Sequence, residues 1–140
     1  MSLNGGDIRI GGDLTISGVG LTQMQTSSGS KSLTVNRNFN KKDSGSFILL
    51  AKTGNKTAIL NIKGNFNFNG GLFNISNNTS NTITSTVNLG GNFTKANSGT
   101  LGSYLVNTSA GNVNVNFNFV GNPSNLVQTV SSTANVTNND

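Results

Sequence analysis

The sequence predicts an all-β chain, a parallel β-solenoid (β-helix) of about five coils, with roughly 27 residues and three short strands per coil. Three observations lead there. A seven-residue phrase recurs five times at near-constant spacing, every apolar alternation has period two, and the stretches between alternations are small turn-forming residues.

The phrase is apolar, any, apolar, any, usually Gly, Asn or Asp, then Phe or Leu. It reads Ile8-Arg-Ile-Gly-Gly-Asp-Leu14, Leu33-Thr-Val-Asn-Arg-Asn-Phe39 and Leu60-Asn-Ile-Lys-Gly-Asn-Phe66. It continues as Val87-Asn-Leu-Gly-Gly-Asn-Phe93 and ends with Phe117-Asn-Phe-Val-Gly-Asn-Pro123, where Pro replaces the aromatic. These coil anchors (8–14, 33–39, 60–66, 87–93, 117–123) start 25, 27, 27 and 30 residues apart. A small-residue turn follows each of the first four anchors: Gly18-Val19-Gly20, Ser44-Gly45-Ser46, Gly70-Gly71 and Ser98-Gly99. A second alternation comes next, as in Phe47/Leu49, Phe73/Ile75 and the segment 101–106, and then a polar stretch such as 53–55 or 77–81. A rising strand leads back to the next anchor, clearest in Val113/Val115/Phe117/Phe119. An antiparallel β-sandwich also uses short alternating strands, but it needs no internal repeat.

Stacking such coils at the ordinary inter-strand spacing of about 4.8 Å assigns a role to each repeated position. Ile8, Leu33, Leu60, Val87 and Phe117 form one inward row, and Ile10, Val35, Ile62, Leu89 and Phe119 the next. Leu14 with Phe39, Phe66 and Phe93 forms a mostly aromatic third row, whose Phe residues are expected as core rather than as a ligand platform. Asp13, Asn38, Asn65, Asn92 and Asn122 share one corner, where a side-chain amide is expected to bond to its copy one coil above and Asn to tolerate a left-handed backbone. Gly12, Gly64, Gly91 and Gly121 precede them and are expected to supply backbone freedom, with Arg37 the exception.

Composition narrows the chemistry. Asn (26), Gly (18), Ser (17) and Thr (16) make up more than half of the 140 residues, and His, Cys and Trp are absent. That removes imidazole acid/base catalysis, thiol chemistry and disulfides. Only four acidic residues exist: Asp7, Asp13, Asp43 and Asp140. Glycoside hydrolysis needs an apposed carboxylate pair, and the Gly11-Gly12 corner is expected to separate Asp7 from Asp13. Asp43, beside Lys41 and Lys42, reads as a solvated turn. Calcium solenoids load every coil with a carboxylate, whereas here the shared corner is Asp once and Asn afterwards. No catalytic residue, metal or cofactor is expected, and the chain reads as a non-enzyme.

The net charge of +5 comes from nine cations with a single tight pair, Lys41-Lys42, and without aromatic interleaving, so nucleic acid is not an expected partner. The longest apolar run, 47–51, is too short to enter a bilayer as a span. No secretion signal is visible, and any such signal is expected outside this chain. Met1-Ser2-Leu3 reads as an added start, and the chain as one solenoid domain (1–140) cut from a longer repeat protein.

The phrases Leu60-Asn-Ile-Lys-Gly-Asn-Phe-Asn-Phe-Asn-Gly-Gly-Leu-Phe-Asn-Ile75 and Val87-Asn-Leu-Gly-Gly-Asn-Phe-Thr94 resemble repeats of large secreted or surface β-solenoid proteins of Bacteroidetes-type bacteria. The likeness runs from about residue 8 to 130. It implies an extracellular or cell-surface location and an adhesin-like or stalk-forming role, and it carries over no catalytic residue.

Three functions follow from these readings. The first is a non-catalytic structural scaffold, an adhesin-like stalk segment. The second is a glycan-binding module that uses a flat Asn/Thr/Ser-rich face, although Tyr104 is the sole Tyr available as a sugar platform. The third is ice binding, for which Thr82-Ile-Thr84-Ser-Thr86 has the local spacing but no expected matching rows above or below. Unpaired strand edges at the two ends of a stack also predict end-to-end self-association.

Overall fold

A computed structural model describes residues 2–4, 6–25, 30–50, 56–76, 83–96, 100–101, 113–121 and 130–132. The fifteen strands among these described residues fall into successive sets of three. The first coil holds β1 (Ser2–Asn4), β2 (Ile8–Ile10) and β3 (Leu14–Ile16); the second holds β4 (Leu21–Gln25), β5 (Ser30–Val35) and β6 (Phe39–Lys41). The third holds β7 (Ser46–Leu50), β8 (Lys56–Ile62) and β9 (Phe66–Phe68), and the fourth β10 (Leu72–Ser76), β11 (Ile83–Leu89) and β12 (Phe93–Lys95). The fifth holds β13 (Thr100–Leu101), β14 (Val113–Phe119) and β15 (Val130–Ser132).

Every third strand pairs, always in parallel, to give three five-stranded sheets ordered β1-β4-β7-β10-β13, β2-β5-β8-β11-β14 and β3-β6-β9-β12-β15. We call these sheets A, B and C. Each strand pairs with its copy one coil away, so this is a parallel β-helix. Ser2–Asn4 is part of it, since β1 pairs in parallel with β4.

The register follows the repeated phrase. Ile8, Leu33, Leu60, Val87 and Phe117 pair in sequence along sheet B, as do Ile10, Val35, Ile62, Leu89 and Phe119. In sheet C, Leu14, Phe39, Phe66 and Phe93 are in register. In the fifth coil the partner of Phe93 is Val130, so sheet C resumes well past Pro123. A proline there would lack the N–H that the ladder uses. Asn122 and Pro123 lie outside the described residues.

Alternation decides what is buried. β6, β9 and β12 each read buried, half-buried, buried, with Phe39, Phe66 and Phe93 inward and Asn40, Asn67 and Thr94 outward. The inward residues of all three sheets form one core, including Met24, Phe47, Leu49 and Phe73 from sheet A. Phe66 sits at its centre. Its ring meets Phe39 and Phe93 edge-on at 5.2 Å each and Phe73 at 4.9 Å, within the favourable range for aromatic pairs. Each fully buried Phe contributes roughly 1.5–3 kcal/mol over an exposed one, which is how 33% apolar residues suffice.

The corners explain the glycines differently from expectation. Gly12, Gly64 and Gly91 do not have positive φ; among the described residues, only Gly18, Gly71, Gly121 and the non-glycine Asp43 do. Gly64 is required by proximity instead. A Cβ there would stand 2.7 Å from Asn38 Oδ1 and 2.8 Å from the Arg37 carbonyl oxygen, one coil below. A Cβ at Gly12, in the first described coil, would meet nothing within 4 Å.

Candidate functional site

The corner between sheets B and C is a column of coil-to-coil bonds. The backbone N–H of Asn38 donates to Asp13 Oδ1, that of Asn65 to Asn38 Oδ1, and that of Asn92 to Asn65 Oδ1, each at 2.9 Å. The backbone supplies the return bonds: the N–H groups of Leu14, Phe39 and Phe66 donate to the carbonyls of Asn38, Asn65 and Asn92, again at 2.9 Å. The side chain therefore acts as an acceptor for the backbone above it. The first step adds an amide-to-side-chain bond, from Asn38 Nδ2 to Asp13 Oδ1 at 3.2 Å. An acceptor is all this role requires, which is why Asp serves in the first coil and Asn above it. These residues have negative φ, so left-handed tolerance is not what selects Asn here.

Outward columns on sheets B and C run differently, through side-chain amides. Asn118 Nδ2 donates to Asn88 Oδ1 (3.0 Å), Asn88 Nδ2 to Asn61 Oδ1 (2.8 Å) and Asn61 Nδ2 to Thr34 Oγ1 (3.4 Å). On sheet C, Asn67 Nδ2 donates to Asn40 Oδ1 (2.8 Å), and Asn40 Nδ2 to Thr15 Oγ1 (3.4 Å). Every one of these bonds points the same way, from the later coil to the earlier one. Neighbouring columns on sheet B are mixed: Ser30, Thr57, Thr84 and Asn114 are in register, beside Ser32, Ile59, Thr86 and Asn116. Thr84 thus has a threonine, Thr57, in the coil before it, contrary to expectation, while Thr86 has Ile59. Thr82 and Tyr104 lie outside the described residues.

The corner between sheets C and A holds a lysine that the sequence reading placed in solvent. Lys41 is fully buried, and its Nζ donates to the carbonyls of Lys42 (2.7 Å), Gly70 (3.2 Å) and Asp43 (3.4 Å). Lys42 and Asp43 are exposed, as a turn should be. Lys41 turns inward because it occupies the slot of Ile16 and Phe68 in the column Ile16–Lys41–Phe68–Lys95. Burial lowers its pKa from the ordinary lysine value, and the nearby Asp43 charge partly opposes this. Lys95, two coils on in the same column, is also buried. The repeat held a signal for both: two residues past each anchor Phe stands Lys41, Phe68 or Lys95, in the inward phase.

All three described carboxylates bind backbone N–H groups of an adjacent coil. Asp7 Oδ1 accepts from Ser32 (2.8 Å), Asp13 Oδ1 from Asn38 (2.9 Å), and Asp43 Oδ2 from Gly18 (2.9 Å). Donation from the Ser32 backbone and then its side chain, with a smaller contribution from the Lys31 charge, holds the Asp7 carboxyl below the usual carboxylate range. Among the described residues, no group of three or more acidic, His or Cys side chains gathers to hold a metal. Comparison with protein-family models, curated proteins and solved structures finds no match to this chain.

Proposed function

We propose that the chain is a non-catalytic structural segment, part of an adhesin-like scaffold at the cell surface or outside the cell. One observation supports this most: the three described carboxylates and the buried Lys41 are used to hold coils together. Asp7, Asp13 and Asp43 accept from neighbouring coils, and Lys41 bridges the turn after β6 to the turn after β9. A fold that lengthens one coil at a time, with each coil bonded mainly to its neighbours, is suited to spanning distance. Protease shaving of intact producing cells tests the location. Peptides of this chain are expected in the shaved fraction, and their confinement to the cytosolic fraction contradicts the reading.

A second reading, a glycan-binding face, rests on sheet B. There the Asn61–Asn88–Asn118 column stands beside Thr86 and Asn116, giving amide and hydroxyl groups at coil spacing. A glycan array run at low and high salt separates the two. The scaffold reading expects no sugar-specific signal that survives salt; such a signal makes sheet B the binding face.

A further inference from the structure

The two ends of the stack are complementary to each other and not to themselves. Among the described residues, β1, β2 and β3 of the first coil have one edge each without a neighbouring strand, and so do β13, β14 and β15 of the fifth. Natural sheets usually block such edges with charge, proline or a covering element. The strands of the fifth coil contain no charged residue. They leave Phe119 44% exposed, followed by Val120 at 60%. At the other end, Ile8, Ile10 and Leu14 pack on the core but remain only partly buried.

Side-chain polarity selects one way of joining these ends. In the sheet B column each amide donates toward the earlier coil, so Asn118, the last described member, gives its Nδ2 to Asn88. No amide stands above its own Oδ1 among the described residues. The first member of the same column is Arg9, an exposed side chain with donors only. Joining two fifth coils would bring acceptor against acceptor, and joining two first coils would bring Arg9 against Arg9. Joining a fifth coil to a first coil continues the donor direction and sets Phe117 over Ile8 and Phe119 over Ile10.

We propose that this chain self-associates head to tail, the fifth-coil edge of one copy adding in parallel to the first-coil edge of the next, with Asn118 of one copy in register with Arg9 of the other. The interface carries all three sheets and the core rows across the junction. Because a head-to-tail contact with little rotation does not close, the product is an open linear series. This inference stands on the ends of the fold and is independent of where the protein resides.

Sedimentation velocity across a concentration series reads the association directly, with circular dichroism confirming that each variant is folded. The wild type is expected to form concentration-dependent linear oligomers. Asn118→Lys, which sets a cation against Arg9, and Phe119→Lys, which sets a cation over the apolar Ile10, are each expected to raise the dissociation constant by about tenfold or more. Asn118→Asp is expected to strengthen it in a salt-sensitive way, and loss of folding cannot produce opposite signs at one position. Orientation is read by mixing Arg9→Cys and Asn118→Cys proteins, since the chain has no cysteine of its own. Adjacent parallel strands lie about 4.8 Å apart, within disulfide reach. A disulfide that needs both variants together supports the proposal. Monomer at every concentration, association indifferent to residues 118 and 119, or pairing of each Cys variant with itself overturns it.

Discussion

The Oδ1 of Asn38 accepts the backbone N–H of Asn65 at 2.9 Å, a bond between residues 27 apart in the chain. At a corner, where the chain turns between sheets, the side chain replaces a backbone carbonyl as the acceptor. The same substitution recurs from Asp13 to Asn92 and ties four successive coils.

Asn65→Ala removes the acceptor for the Asn92 N–H and should destabilise the fold by about 1–3 kcal/mol, the cost of leaving a partly buried donor unmade. Asn65→Asp keeps an acceptor at the same place and should lose less. Urea denaturation of both variants checks the order, and equal losses would contradict the acceptor role.

Gly64 and Gly12 occupy equivalent corners yet should respond differently to alanine. At Gly64 a Cβ would press on Asn38 Oδ1 and the Arg37 carbonyl, both under 3 Å away, so Gly64→Ala should cost about 1–3 kcal/mol. At Gly12 the added methyl meets nothing within 4 Å, and Gly12→Ala should change stability by about 0.5 kcal/mol or less. Thermal melts of the pair measure the difference.

Lys41 should give the fold a distinctive alkaline response. Its folded pKa lies below the ordinary 10.5, so above that folded value the unfolded chain binds more protons at this group. Stability contributed by Lys41 therefore rises with pH between its folded pKa and 10.5, and levels off on either side. Lys41→Met should abolish this rise and leave three backbone carbonyls without their donor. Denaturation from pH 7 to 11 on both proteins provides the comparison, and parallel profiles would contradict the buried ammonium.

Ser85 points inward on sheet B between Ala58 and Val115, and its buried hydroxyl has no partner. Replacing it with alanine, as its neighbour Ala58 already is, should stabilise the fold by about 1 kcal/mol. A rise in the denaturation midpoint is the expected result.

Much of this fold is legible in the sequence because a solenoid writes its register into its repeat. The five phrases align Leu33 with Leu60 and Val35 with Ile62, and the strands pair in that alignment. What stays hidden is local. Lys41 reads as solvent-facing because lysine usually is, and only the column formed with Ile16 and Phe68 sends it inward. Gly64 reads as a conformational choice, whereas the approach of Asn38 from another coil excludes its side chain. The pairing of Phe93 with Val130 falls past the last phrase, 117–123, so no repeat announces it. The common direction of the amide columns depends on side-chain orientation, about which a one-letter pattern is silent.

The central claim is that successive coils stack in parallel and in register, and nuclear Overhauser contacts in a uniformly labelled sample test it most directly. The account predicts backbone contacts between Asn61 and Asn88 and between Asn40 and Asn67, 27 residues apart, with the interstrand pattern of parallel sheets. Short Hα–Hα contacts between oppositely running strands, as an antiparallel sandwich requires, would contradict it.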